Sequence, residues 1–246
     1  MNAKFSFAGL IALAAIAGCS GMKGSAQPDY AAIVASTDRS EGDAQTDQRR
    51  HPELLLAFTG VMPGMKVLDM GTGAGYSTEL MARAVGPAGV VYAQDAPDLP
   101  PRARERFDER TRKPAMKNVV RVLRPFDNPA PTDARGLDLV TFFFAYHDTT
   151  YMNVDRAAMN RRLFEALKPG GVLVIADHSA APGAGTSVGK SLHRIEESAL
   201  RAEVEAAGFR LVAEGDFLRH PEDPRDAIVF RPKVPVDDFV LKFVRP

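Results

Sequence analysis

One stretch constrains this chain more than any other: Met65 to Leu80, M-K-V-L-D-M-G-T-G-A-G-Y-S-T-E-L. Val67 and Leu68 fit a short buried strand entered from the turn Pro63-Gly64. Asp69 and glycines at 71, 73 and 75 follow. Glycine is needed where a backbone takes positive φ or comes close to a ligand. Thr78 and Glu79 then lie in the opening turns of a helix, whose first N–H groups can face a polar ligand. A G-x-G-x-x-G pattern would make the turn a dinucleotide site, but its third position here is Tyr76. The alternative is a plain strand-to-helix turn with no ligand.

The rest of the chain repeats the strand–helix alternation. Tyr30 to Ala35 suits a short helix, and Ser40 to Gln48 a polar surface loop or helix. Arg49-Arg50-His51 leads into a helix with Pro52 at its first position. After the glycine turn come a helix over Tyr76–Val85 and a second strand over Gly89–Asp95. Arg102 to Arg112 reads as an exposed charged helix anchored by Phe107. Asn118–Leu123 is a third strand, and Leu137–Ala145 a near-continuous apolar fourth, as the centre of a parallel sheet requires. A helix over Asp155–Leu167 ends in the turn Lys168-Pro169-Gly170-Gly171, before a fifth strand over Val172–Ala176. Ala180 to Gly189 reads as a mobile loop and Leu192 to Ala207 as one helix. Phe209–Leu218 and Phe239–Phe243 read as an antiparallel pair of strands at the sheet edge.

This order predicts an α/β fold: a three-layer, Rossmann-like, doubly wound sheet of about seven strands, mostly parallel with an antiparallel edge strand. Ligands in such sheets bind beyond the carboxyl ends of the strands, near the switch in strand order. Asp69, Asp95, Phe126, His147 and His178 all fall at or just past a strand end. Asp95 can accept hydrogen bonds from both hydroxyls of a ribose, with Gln94 sharing or taking over the role, or it is a solvated turn acid or helix cap.

The run D-x-G-x-G-x-G from Asp69 to Gly75 resembles the first motif of class I S-adenosylmethionine-dependent methyltransferases. Asp95 corresponds to the second motif, and K-P-G-G before the fifth strand is frequent in that family. The resemblance covers about Pro52 to Pro246. It implies S-adenosylmethionine as cofactor, with Asp69 attracting its ammonium. Asp69, Gly71, Thr72, Gly73, Gly75, Asp95, Phe126 and Tyr146 are the expected cofactor contacts. The usual Gly-Asp pair after the third strand is replaced by Arg124-Pro125-Phe126-Asp127, where Phe126 is placed to stack on adenine. The chain is also similar to a group of exported bacterial predicted methyltransferases. These carry Y-H-D, D-H-S and L-H-R-I-[DE]-E, here Tyr146-His147-Asp148, Asp177-His178-Ser179 and Leu192 to Glu197.

His147, His178 and His193 are the catalytic candidates. A neutral imidazole among them would take a proton from the methyl acceptor near pH 7; otherwise each is a hydrogen-bonded structural histidine. Asp177 is placed to orient His178, and Asp148 to cap the following segment. His193 and Glu197 lie four apart, a spacing that also suits a metal on a helix. No compact motif such as H-x-H or H-E-x-x-H is present, so no metal is assigned. Three functions are open: a methyltransferase of unknown acceptor, a non-catalytic small-ligand module on the same fold, and a metal-assisted hydrolase using His147, His178, His193 and Glu197.

The N-terminus stands apart. Met1–Lys4 is a short basic start, and Phe5–Ala17 is an apolar run of 13 residues, about 20 Å as a helix. That is too short for a hydrocarbon core of about 30 Å. The run ends in Ile16-Ala17-Gly18-Cys19, which resembles the lipobox of bacterial lipoproteins. This implies a signal peptide over 1–18, lipidation of Cys19, a tether and N-terminal segment over 19–50, and the main domain over 51–246. Multiple acyl chains anchor stably where one does not. The alternative is an ordinary secretory signal with a chance cysteine. Ser20 points to the outer membrane, so the expected location is the periplasmic side of the cell envelope. The anchor makes the membrane a partner, with a small or envelope-associated molecule as acceptor. Cys19 is the only cysteine, so no disulfide framework exists, and 31 basic residues balance 31 acidic ones. Nothing in that balance favours nucleic acid. Oligomeric state is not legible.

Overall fold

The structure is a computed structural model, and it describes residues 26–230 and 232–246. The expected signal peptide and Cys19 lie outside the described residues. Seven strands form the central sheet: β1 (Lys66–Met70), β2 (Val90–Asp95), β3 (Val119–Leu123), β4 (Leu137–Phe143), β5 (Leu167–His178), β6 (Arg210–Gly215) and β7 (Asp238–Val244). Their order is β3-β2-β1-β4-β5-β7-β6. The first five pair in parallel, and β7 is antiparallel to both its neighbours. The order reverses between β1 and β4, which makes that crevice the switch point. Among the described residues, eight α-helices flank the sheet: α1 (Tyr30–Val34), α2 (Asp43–Arg50), α3 (Pro52–Thr59), α4 (Tyr76–Val85), α5 (Pro101–Thr111), α6 (Arg156–Ala166), α7 (Gly189–Leu192) and α8 (Glu197–Ala206).

Alternation along the strands explains the two cores. Val67 and Leu139 point to one face, with Leu55, Leu80 and Met81 from α3 and α4. Leu68, Val140 and Phe142 point to the other, with Met159 and Leu163 from α6 and Leu200 from α8. Both faces are buried, so the strands read as continuous apolar runs.

Four local expectations fail, each for a tertiary reason. β4 stops at Phe143, because Phe144 takes φ +57° and turns the chain. The Lys168–Gly171 turn is a bulge inside β5. Its pairing jumps from Leu137↔Leu167 to Leu139↔Val172, and Gly170 N–H bonds the Arg245 carbonyl at 2.8 Å. The single helix expected over Leu192–Ala207 is two. His193 adopts φ +54° because the next residues are pulled to the sheet: Ile195 N–H bonds the His178 carbonyl at 3.0 Å, and buried Arg194 pairs with Asp223 at 2.7 Å. The loop expected to be mobile over 180–189 is tied down by Glu196, whose carboxylate accepts the Gly185 N–H at 2.8 Å. Among the described residues, no helix is long and apolar enough to cross a membrane.

The N-terminal helices are bolted to the core by charge. Arg110, on the helix expected to be exposed, is buried. Its guanidinium donates to Asp43 on α2 and Glu79 on α4. Removing one partner of a buried charge cluster leaves the others uncompensated, at about 3–5 kcal/mol. Arg110→Ala should therefore cost about 3 kcal/mol or more, read as a lower urea midpoint with unchanged slope. A loss under ~1 kcal/mol would show that the cluster does not hold α2 in place.

Candidate functional site

The glycine turn joins β1 to α4 at the switch point. Gly71 takes φ +62°, and a Cβ there would stand 2.9 Å from the Ala145 methyl. Gly73 takes φ +54°, and a Cβ there would meet nothing within 4 Å. One glycine is thus set by packing, and the other leaves open space beside the loop. Gly75 backs onto the Phe107 ring and precedes α4, which has no side-chain cap, so its first N–H groups keep their polarity for a ligand. Asp95, at the end of β2, accepts from Thr72 Oγ1 at 2.5 Å and from the Gly73 N–H at 3.1 Å. Burial pushes its carboxyl up to about 6, although Thr72 and Gly73 hold it down. Two lone pairs on each oxygen leave Asp95 able to take a diol as well. This loop fits the methionine and ribose parts of S-adenosylmethionine.

Four other expected contacts are placed differently. Asp69 is fully buried and accepts from Ser77, Thr78 and Thr141 at 3.0, 2.7 and 2.7 Å. It braces the loop and does not face a ligand. Gln94 is equally buried, bonding the Gly71 N–H at 3.3 Å and the Arg124 carbonyl at 2.7 Å, so both ends of its amide are occupied. Phe126 stacks on Phe142 in the core, centroids 5.8 Å apart and planes 9° apart. Tyr146 is fully buried, with its hydroxyl between Asn160 and Glu203 at 2.8 Å each. Both aromatics point into the layer of α6 and α8, where apolar burial outweighs any contact with a ligand. The loop after β3 therefore offers no aromatic face to adenine.

The three histidines do come together. They line a cavity of about 640 Å³ with Arg50, Phe144, Tyr151, His220, Phe230 and Asp238. His147 follows β4, His178 ends β5, and His193 caps α7. His147 Nδ1 lies 2.7 Å from Asp177 Oδ1, and its backbone N–H donates to Asp177 Oδ2 at 2.8 Å. Its Nε2 is 3.1 Å from Asp148 Oδ1 and 3.3 Å from His193 Nδ1. Asp177 thus orients His147, not His178. His178 is held by Asp238, Nδ1 to Oδ1 at 2.6 Å, across 60 residues of sequence. Asp148 does not cap a helix; it accepts from the Tyr151 hydroxyl at 2.5 Å. Glu197 is bonded to Arg219 and does not share a helical face with His193.

Sequence reading missed Asp238 and Arg50. Asp238 was hidden in an unremarkable V-D-D ahead of the last strand. Arg50 belongs to the basic run before Pro52. Its guanidinium lies over the Phe144 ring at 4.3 Å and the Tyr76 ring at 5.5 Å. It bridges the helix after the glycine loop and the histidine cavity, and among the described residues it makes no ion pair.

Comparison with known proteins adds sequence and fold likeness. A model of the family described as a methyltransferase domain matches residues 62–210. A ubiquinone/menaquinone biosynthesis C-methyltransferase of Shewanella woodyi is 29% identical over 131 residues, 53% of this chain and 49% of that protein. A protein-L-isoaspartate O-methyltransferase of Aeropyrum pernix is 40% identical over 70 residues, 28% of this chain and 25% of that protein. The chain thus spans from a quarter to about half of the length of these relatives. The crystal structure of a SAM-dependent methyltransferase from Aquifex aeolicus superposes with a TM-score of 0.60 at 22% identity, covering 89% of this chain and 99% of that one. At that identity the likeness is one of fold.

Burial disfavours a charged His147 ring, but the Asp177 charge and hydrogen bonds to Asp148 and Asp177 outweigh it and push the imidazole up to about 10. A ring held protonated at neutral pH is the least suited of the three histidines to take a proton from an acceptor. Its folded value lies above the ordinary 6.5, so its contribution to stability is complete below 6.5 and is lost as pH rises through about 10. NMR titration of chelator-treated protein should show His147 protonated through pH 8, and Asp177→Asn should bring its midpoint down by at least one unit. A wild-type midpoint near 6.5 would contradict the pairing.

Proposed function

The chain belongs to the methyltransferase-domain family, and from that premise we propose that it is an S-adenosylmethionine-dependent methyltransferase whose acceptor sits in the histidine cavity. The observation that carries this reading is the open face at Gly73 beside the Asp95 carboxylate, at the switch point of the sheet. The loop amides and the start of α4 hold the cofactor's carboxylate end, and Asp95 accepts the ribose hydroxyls. When bound, the cofactor supplies an electrophilic methyl group on a sulfonium. The chain's main contribution is positioning, which can lower a transfer barrier by about 7–11 kcal/mol when reacting atoms are aligned. Arg50, between the loop helix and the cavity, orients an anionic group on the acceptor. Asp238 fixes the His178 ring, so that Nε2 is left to accept the acceptor's proton, the role the sequence left open among the three histidines.

A second reading, a small-ligand module without catalysis, is favoured by one observation. Phe126 is committed to the core, and the loop after β3 holds no other aromatic ring to set against adenine. Calorimetric titration of residues 20–246 with S-adenosylmethionine and S-adenosylhomocysteine separates the two. Methyltransferase function predicts saturable binding of both, weakened at least tenfold by Asp95→Ala. Binding should also weaken as pH falls through about 6, where Asp95 gains a proton and stops accepting two hydrogen bonds. No binding to either would leave the ligand-module reading.

The envelope location rests on the lipobox-like Ile16–Cys19 alone. Lipidation at Cys19 places the domain at the membrane surface on the periplasmic side, near envelope-associated acceptors. Cys19→Ser should move the protein from the membrane to the soluble fraction; an unchanged distribution would eliminate the anchor.

A further inference from the structure

We propose that His147, Asp148 and His193 form a binding site for a divalent transition-metal cation of the zinc or iron(II) class. His147 Nε2, Asp148 Oδ1 and His193 Nδ1 make a nearly equilateral triangle with edges of 3.1, 3.2 and 3.3 Å. Metal–ligand distances of about 2.0–2.1 Å require edges of about 3.3–3.4 Å in a tetrahedral site and about 2.9 Å in an octahedral one. The observed triangle lies between the two, so a cation seats above it with shifts of only tenths of an ångström.

The chemistry of the three atoms agrees with the spacing. In the neutral His147 ring, Nδ1–H donates to Asp177 and Nε2 presents a lone pair. Asp148 Oδ1 is an acceptor, and His193 Nδ1 becomes one when its proton is on Nε2. Three acceptors then converge, and only a cation between them, a metal ion or a proton, makes the arrangement favourable. The Asp177–His147 bond is the outer carboxylate that metal-bound histidines use to fix tautomer and orientation. His193 also holds left-handed backbone, φ +54°, a conformation disfavoured for a residue with a Cβ. That conformation ends α7 with the imidazole in the cluster.

Two histidines and one carboxylate leave further coordination positions open. The ligands line the cavity of about 640 Å³, so those positions suit a small molecule with an oxygen donor. The set differs from the one the sequence suggested: His178 is committed to Asp238, and Glu197 to Arg219. No compact motif announces the site, because its parts lie 46 residues apart, at the end of β4 and the end of α7. The site does not depend on methyl transfer.

The test is titration of tag-free, chelator-stripped protein with Zn²⁺ and with Co²⁺. One equivalent should bind. Co²⁺ should acquire visible absorption bands of a protein-bound nitrogen–oxygen site, and Zn²⁺ should raise the melting temperature. His193→Ala and Asp148→Asn should each weaken binding at least tenfold with unchanged circular dichroism, while His220→Ala should leave it intact. These two variants avoid His147, whose loss would strand buried Asp177. No stoichiometric binding at micromolar metal would assign the space between the three atoms to a proton. Binding undiminished in both variants would place the metal elsewhere. Either result overturns the proposal.

Discussion

The carboxylate of Asp69 is the interaction on which the site depends. It is fully buried at the end of β1 and receives hydroxyls from both sides of the switch point. Ser77 and Thr78 fix the first turn of α4, and Thr141 fixes β4. Burial pushes this carboxyl up, and the three hydroxyls work in the opposite direction. Hydrogen bonds to a charged group contribute about 1.5–3 kcal/mol each, so the three hydroxyls offset part of the burial penalty on this carboxyl. With strand and helix held at this point, the glycine turn between them has little freedom, and Gly73 is presented to open space.

The sheet then delivers side chains to one rim. β4 and β5 are parallel neighbours, so His147, shortly past the end of β4, and His178, the last residue of β5, arrive side by side, ring centroids 5.6 Å apart. β7 runs the other way, so its first residue, Asp238, lands opposite the last residue of β5. Antiparallel insertion of β7 therefore supplies the carboxylate that His178 needs. The bridge between Ser179 and Ile195 draws the chain after α7 to the same rim and brings His193 with it. Two carboxylate–imidazole pairs result, and they are not equivalent. Asp177 makes His147 a cation or a metal ligand, whereas Asp238 leaves the far nitrogen of His178 facing the cavity chemistry.

Buried charge also governs how the N-terminal helices cover the domain. Arg110, Asp43 and Glu79 meet beneath α2, and Asp47 accepts the Tyr76 hydroxyl at 2.5 Å. These contacts place Arg50, at the end of α2, over Tyr76 and Phe144. A segment that reads as polar and solvated thus forms one wall of the cavity, because its charges are matched by partners far along the chain.

The sequence by itself determined the layered α/β fold, the strand–glycine-turn–helix unit and the gathering of histidines at strand ends. These follow from patterns of period two and 3.6 and from glycine spacing, which are local properties. Asp95, His147 and His178 were legible for the same reason: a strand end is a local feature with a fixed address in a parallel sheet. Tertiary structure alone decided which way side chains turned after leaving the strands. Phe126 and Tyr146 look like ligand contacts in the sequence, but packing against Phe142 drew them into the core. The pairing of Asp177 with His147, of Asp238 with His178, and of Asp148 with His193 depends on contacts across up to 60 residues. Helical periodicity across Leu192–Ala207 placed His193 beside Glu197; the pull of Ile195 and Arg194 toward the sheet broke that helix and gave His193 to Asp148 instead. Local sequence carries backbone preference, but the partner of a buried polar group is set by whatever the rest of the fold brings within 3 Å of it.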